Sequence, residues 1–152
     1  MRSLCRAVTN RIVIWMMSRS RFSYAVGAPN KLFDRFEPFW PDEYRGQNRP
    51  PWWRPFNVLL HRWVSSEGGR FHDHPRWSVT IVLRGEIVEH TPWRSRQLGP
   101  GSVVVRSRKF IHRFDLPKNQ MRRPLTLFIV GRRNYQQNWY EIEPFQKPSG
   151  AA

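Results

Sequence analysis

The sequence predicts an all-β fold, a jelly-roll type β-barrel with a short N-terminal helix and an irregular N-terminal extension. Three observations predict it. From residue 56 onward, short runs rich in β-branched and aromatic residues are separated by Gly- and Pro-containing turns. The runs recur about every ten residues, the spacing of sandwiches and barrels. No helical period separates them, which disfavours a parallel α/β sheet. A chain of 152 residues and 18.3 kDa fits one such domain, with enough residues to bury a core without disulfides.

The elements follow in order. Residues 56–64 read as a strand, and residues 77–83 (Trp-Ser-Val-Thr-Ile-Val-Leu) as a strand ended near Gly85. Residues 86–90 form the return strand. Pro92 and the Gly99-Pro100-Gly101 turn lead into a Val-rich strand at 102–106. Residues 110–116 run to Pro117, residues 124–130 run to Gly131, and residues 139–142 form a last short strand. The barrel therefore spans 55–146, with a helix and wrapping extension over 1–54 and a flexible tail over 147–152. Within the extension, residues 23–54 hold Pro29, Pro38, Pro41, Pro50 and Pro51 among many aromatics, so an irregular segment lying over the barrel is expected.

Residues 1–22 carry five Arg and no acid, and Leu4, Val8, Ile12 and Trp15 recur at helical spacing. The apolar run from Ile12 to Met17 is far short of the ~20 residues a spanning helix needs. The favoured reading is a helix laying this stripe on its own domain. The other readings are a basic helix on a membrane surface or a targeting peptide, although the apolar core is short for a secretory signal.

The charge is unusual: 26 Lys and Arg against 11 Asp and Glu, for a net charge of +15. Arg supplies most of it, and Arg is a planar, bidentate binder of phosphate and carboxylate. Nucleic acid, an anionic membrane and a small anionic molecule all fit such a chain. The arginines are scattered without a block of like charges, so GC-rich coding is the favoured source of the excess. One cysteine, Cys5, excludes an intramolecular disulfide and a Cys-rich zinc module, and fits a reducing cytoplasm.

Five histidines occur: His61, His72, His74, His90 and His112. In an extended chain, His72 and His74 of Phe71-His72-Asp73-His74-Pro75 point to one face. His112, on a later strand, can bring a third imidazole. Three neutral imidazoles on one side of a metal leave its other positions open to substrate, water or oxygen. A His-x-His pair alone is a weak signal; the surrounding spacing strengthens it.

The chain resembles the cupin superfamily, small β-barrels with a metal in the mouth. After His72-Asp73-His74 come Pro75, Arg76 and Trp77, then Ser78 where that family's motif has Glu, then six residues and Gly85. The second motif is matched by Gly101, five residues, Ser107-Arg108-Lys109, two residues and His112, without the inner Pro and Gly. A smaller bacterial and phage group of cupin-like proteins also shares the strings Leu60-His61-Arg62, His72–Pro75 and Leu83-Arg84-Gly85. With Ser78 in place of Glu, the resemblance implies a three-histidine site like that of the thiol dioxygenases. It further implies Fe(II), with Zn, Mn, Ni or Cu as alternatives, and a site that favours anionic substrates.

Strand parity extends the reading. Arg76, Ser78, Thr80 and Val82 share a face with the ligands, so Arg76, Ser78 and Thr80 are candidate substrate contacts. Val79, Ile81 and Leu83 then face a second sheet or a partner subunit, which would suit a homodimer. Arg62 is the other candidate clamp for an anion. Phe110 and Phe114 share parity with His112 and would wall the site. Asp73 reads equally as a group supporting the ligands or as solvent-facing. His90 reads as a surface residue, and Glu86 and Glu89 rank below solvent as a fourth ligand. Trp139 and Tyr140 read as core.

The function that follows is a metal-binding cupin, a non-haem Fe(II) dioxygenase acting on a small anion. The alternatives are an isomerase, a non-catalytic metal or ligand binder, and a basic nucleic-acid-binding protein on a cupin scaffold.

Overall fold

A computed structural model describes residues 2–26, 31–39, 53–68, 71–132 and 141–142. Helix α1 (Arg2–Arg19) precedes eleven strands: β1 (Arg21–Val26), β2 (Lys31–Glu37), β3 (Phe56–Trp63), β4 (Phe71–His72), β5 (Ser78–Arg84), β6 (Ile87–His90), β7 (Ser95–Leu98), β8 (Val103–Arg106), β9 (Arg113–Asp115), β10 (Leu125–Gly131) and β11 (Glu141–Ile142). The expected all-β architecture with one N-terminal helix is what the chain adopts.

The largest sheet has six antiparallel strands in the order β1-β2-β3-β10-β5-β8. Opposite it runs a second wall. There β7-β6-β9 forms a three-stranded sheet and β11-β4 a two-stranded one. A bridge between His72 and His112 joins these two pieces. Phe33, Trp63, Val82, Val104, Ile87, Leu98 and Phe114 form one buried cluster between the walls. They come from β2, β3, β5 and β8 on one side and β6, β7 and β9 on the other, so they hold the two walls together.

The sequence reading differs from the structure at the N-terminus. Residues 23–54 were expected to be irregular, yet residues 21–26 and 31–37 form a hairpin that continues the main sheet through β2 and β3. Pro38 falls outside β2, so it bounds the strand without removing a ladder donor. Strands β4 and β7 were likewise not foreseen as ladder elements. The 110–116 run shrinks to β9, with only His112 bridged before it.

The helix packs on the outer face of the main sheet, but not through the stripe expected. Met16 is buried, and Val13 and Met17 pack against Phe36, Leu60, Leu125, Leu83 and Leu127. Ile12 and Trp15 face outward. Leu83 joins this cluster within the chain. The Cys5 side chain, Trp139, Tyr140 and the 147–152 tail lie outside the described residues.

The loop between β5 and β6 needs glycine. Gly85 has φ +70, and a Cβ there would lie 2.9 Å from the Pro124 Cα. This tight turn returns the chain so that β6 crosses from the main sheet to the wall that carries His112.

Candidate metal centre

The site begins with a backbone pair. His72 and His112 each donate a backbone N–H to the other's carbonyl at 3.0 Å. Such a pair projects both side chains to the same side. His74, two residues beyond His72, completes the group. One nitrogen from each of His72, His74 and His112 lies within 4.8 Å of the others. The Nε2 atoms of His74 and His112 are 3.1 Å apart. Nitrogens bound to one ion at about 2.0–2.1 Å stand about 3–4 Å apart, so this spacing suits a shared cation. His72 and His112 are buried and His74 is half-buried, which gives the cluster one approach from solvent.

The protonation chemistry agrees. Burial pushes His112 below the ordinary imidazole range, although its hydrogen bond to Glu89 works the other way. Burial, followed by the neighbouring His112, His72, Arg106 and Arg76, pushes His74 well below it. Both rings are therefore neutral at pH 7 and offer lone pairs. His112 Nδ1 faces Glu89 Oε1 at 3.0 Å, so the proton sits on Nδ1 and Nε2 is free to ligate.

Glu89 is the residue that sequence reasoning missed. It was weighed only as a fourth metal ligand, behind solvent; it is fully buried and instead faces the far nitrogen of His112. Its carboxylate accepts from His112 Nδ1, from Arg106 Nε at 2.5 Å and from Arg96 Nε at 2.6 Å. Burial alone would raise its pKa; the bonds from His112, Arg106 and Arg96 and the Arg106 charge outweigh it and bring it down to about 2. The signal was available, because strict alternation along β6 puts Glu89 on the same face as the core residue Ile87. Glu86 instead accepts from Gln97 at the exposed rim.

Arg106 was also missed. It is buried, donates from Nη1 to Thr80 Oγ1 at 2.7 Å, and lies 5.0 Å over the Phe114 ring. Glu67 is the second carboxyl near the cluster. Its Oε2 lies 3.9 Å from His72 Nε2 and accepts from the Phe114 backbone N–H at 2.7 Å. Burial raises it to about 8, against weaker opposing effects from the Phe114 hydrogen bond and Arg106.

The other candidates fall into two groups. Arg76, Ser78 and Thr80 are all buried, and the β5 pattern places Ser78, Thr80 and Val82 on one face. Phe114 and Phe110 pack on His112 with ring centroids 4.8 and 5.6 Å away. Asp73 is buried between the ligands. His90 lies outside the cluster, 3.0 Å from Asp115 and hydrogen-bonded to Ser95. Arg62 is on the wrong face for the expected clamp. It donates from Nε and Nη2 to Asp34 and lies over Phe36, in the outer cluster beneath α1. Its neighbour His61 takes the inner face, stacked on Phe33 with centroids 4.1 Å apart.

No protein-family model and no curated protein matches the chain. Solved structures do match it. The polyketide cyclase RemF from Streptomyces resistomycificus superposes with a TM-score of 0.58 at 16% identity, over 87% of this chain and 84% of that one. Pac13 from Streptomyces, described as a nucleoside dehydratase, gives 0.53 at 12% identity over 86% and 90%. A structure described as FeII HppE gives 0.56 at 13% identity over 76% and 58%. All of these have cupin-type folds, and this chain shares that fold, with three histidines gathered on one wall of its barrel.

Proposed function

We propose that this chain is a metal-dependent cupin enzyme, with His72, His74 and His112 holding one divalent ion, Fe(II), and a small organic anion as substrate. One observation carries the reading: three imidazoles converge with ligand-atom separations within 4.8 Å, and one of them is oriented by a buried carboxylate. Bound there, Fe(II) would supply dioxygen chemistry, with both oxygen atoms entering the substrate and no further reductant needed. The likeness in fold to FeII HppE supports iron.

The residues around the cluster set the substrate class. Arg76 and Arg106 are buried close enough to depress the His74 pKa. Glu89 is ionised, while Glu67 holds its proton up to about pH 8. Arg76 and Arg106 thus place guanidinium groups beside the histidines, and a small anion is the ligand class that such groups attract. In this reading Arg76 anchors it, Ser78 and Thr80 line its path, and Phe110 and Phe114 keep water from the His112 side.

Iron content of protein purified without added metal, and oxygen uptake by the iron-loaded protein with a panel of small carboxylates and thiols, test this. Iron at one equivalent with substrate-dependent uptake supports it. A metal-free preparation that binds no divalent ion overturns it.

A second reading keeps the metal and drops the oxygen. Glu67 places a carboxyl 3.9 Å from His72, where a proton-transfer group for isomerisation or elimination belongs. Turnover under nitrogen that Glu67→Gln abolishes would select it.

A further inference from the structure

Helix α1 carries two apolar stripes, and the fold buries one. Val13, Met16 and Met17 pack on the outer face of the main sheet. Ile12, Ile14 and Trp15 are left 53%, 66% and 47% exposed. Phe39, itself 48% exposed, lies 6.4 Å from the Trp15 ring, so the bare surface continues from the helix past the end of β2. A single exposed isoleucine is ordinary; a run of Ile, Ile, Trp and Phe on one patch is not.

The charge along the helix has one sign. The helix sequence holds Arg2, Arg6, Arg11 and Arg19 and no acidic residue. Arg11 is exposed, and the Arg19 guanidinium sits 5.5 Å over the Trp15 ring. The surrounding protein adds to it, with a net charge of +15. No described helix is long and apolar enough to cross a membrane. The 18-residue helix also has its other face committed to the sheet, so it can meet a bilayer only lying flat.

We propose that α1 docks the protein on an anionic lipid surface. Trp15, Ile12 and Ile14 enter the boundary between headgroups and acyl chains, and Arg11 and Arg19 meet the lipid phosphates. The packed face stays in place, so docking requires no unfolding. A nucleic acid fits this patch less well: Trp15 and the arginines would serve it, but Ile12 and Ile14 offer nothing to a base or a phosphate.

The test is co-sedimentation of the full chain with vesicles of equal parts phosphatidylglycerol and phosphatidylcholine, and with phosphatidylcholine alone. Binding to the anionic vesicles, weaker binding to the neutral ones, and loss with rising salt are expected. The I12S/W15S double variant lowers the partition coefficient by about tenfold or more. R11Q/R19Q lowers it on anionic vesicles only. Both variants keep the melting temperature and metal content of the parent, because all four side chains point outward. The proposal is overturned if the parent fails to sediment with anionic vesicles. It is also overturned if I12S/W15S binds them undiminished, or if the patch proves to close a dimer or to bind only nucleic acid.

Discussion

His72 and His112 form a hydrogen-bonded backbone pair, 3.0 Å in each direction, and this bridge builds the site. Two ligands far apart in sequence are fixed relative to one another by main chain, not by side-chain packing. The bridge also joins the β11-β4 and β7-β6-β9 pieces into one wall. The third ligand, His74, is half-buried and lies beyond the end of β4. Replacing His74 with Ala should therefore remove metal at little cost in stability, roughly 1 kcal/mol or less for the metal-free protein. His112→Ala should remove metal and also cost about 1–3 kcal/mol, since a buried hydrogen bond to a charged group is lost. Metal content and urea unfolding of the two metal-free variants separate these effects.

Glu89→Gln keeps the shape of the side chain but removes its charge. Arg106, almost fully buried, then lacks the carboxylate it is bonded to. Breaking a buried ion pair from one side costs about 3–5 kcal/mol. The same change deprives the His112 Nδ1–H of a charged acceptor and should weaken metal binding about 10–100-fold. Isothermal titration with a divalent metal, alongside chemical denaturation, measures both. Unchanged metal affinity would show that Glu89 serves only the arginines.

The barrel and the cluster of three histidines were legible because they rest on local signals. Alternation on β5, the Gly85 and Gly101 turns and the His-x-His spacing are all readable one segment at a time. What was not legible depends on register between distant segments. The β1-β2 hairpin looked irregular because its prolines were read as breakers, when Pro38 falls outside β2. Arg62 and His61 are neighbours on β3, and choosing the inner one required knowing that Phe33 would come from β2 to stack on His61. The partnership of Glu89 with Arg106 and His112 likewise joins three strands that meet only in the fold. The α1 stripe was visible, but nothing local said which of its two apolar faces the sheet would take.

Arg62 supplies a direct check on that face assignment. Arg62→Ala should leave metal content and any anion binding unchanged. It should cost about 1–3 kcal/mol, because the buried Asp34 loses two charged hydrogen bonds. A selective loss of anion binding at unchanged melting temperature would return Arg62 to the site.

Gly85→Ala tests the turn that carries the chain toward the metal wall. The residue has φ +70 and a Cβ would meet the Pro124 backbone at 2.9 Å. Both the conformation and the contact oppose a side chain, so a loss of about 1–3 kcal/mol is expected. Thermal unfolding reads it. Gly68→Ala is the control, since its φ is similar but nothing lies within 4 Å of the added Cβ; it should show the conformational cost alone.

Two sets of groups pull the pH dependence of the metal-free protein in opposite directions. His61, His74 and His112 are depressed below the ordinary imidazole value of 6.5, chiefly by burial. Below pH 6.5 the unfolded chain takes up protons that the folded one refuses, so stability falls as the pH drops. Glu67 does the reverse. Its folded pKa is about 8 against an ordinary carboxyl value of 4.5, so between those values the folded state keeps a proton that the unfolded state releases. Stability then falls as the pH rises from 4.5 to 8. Replacing Glu67 with Gln, which can still accept from the Phe114 N–H, removes that second slope. Relative to the parent, the variant should gain stability between pH 5 and pH 8, which denaturant titrations across that range will measure. A parent curve that already rises through the whole interval, unaltered in slope by E67Q, would mean that Glu67 is ionised in the folded protein.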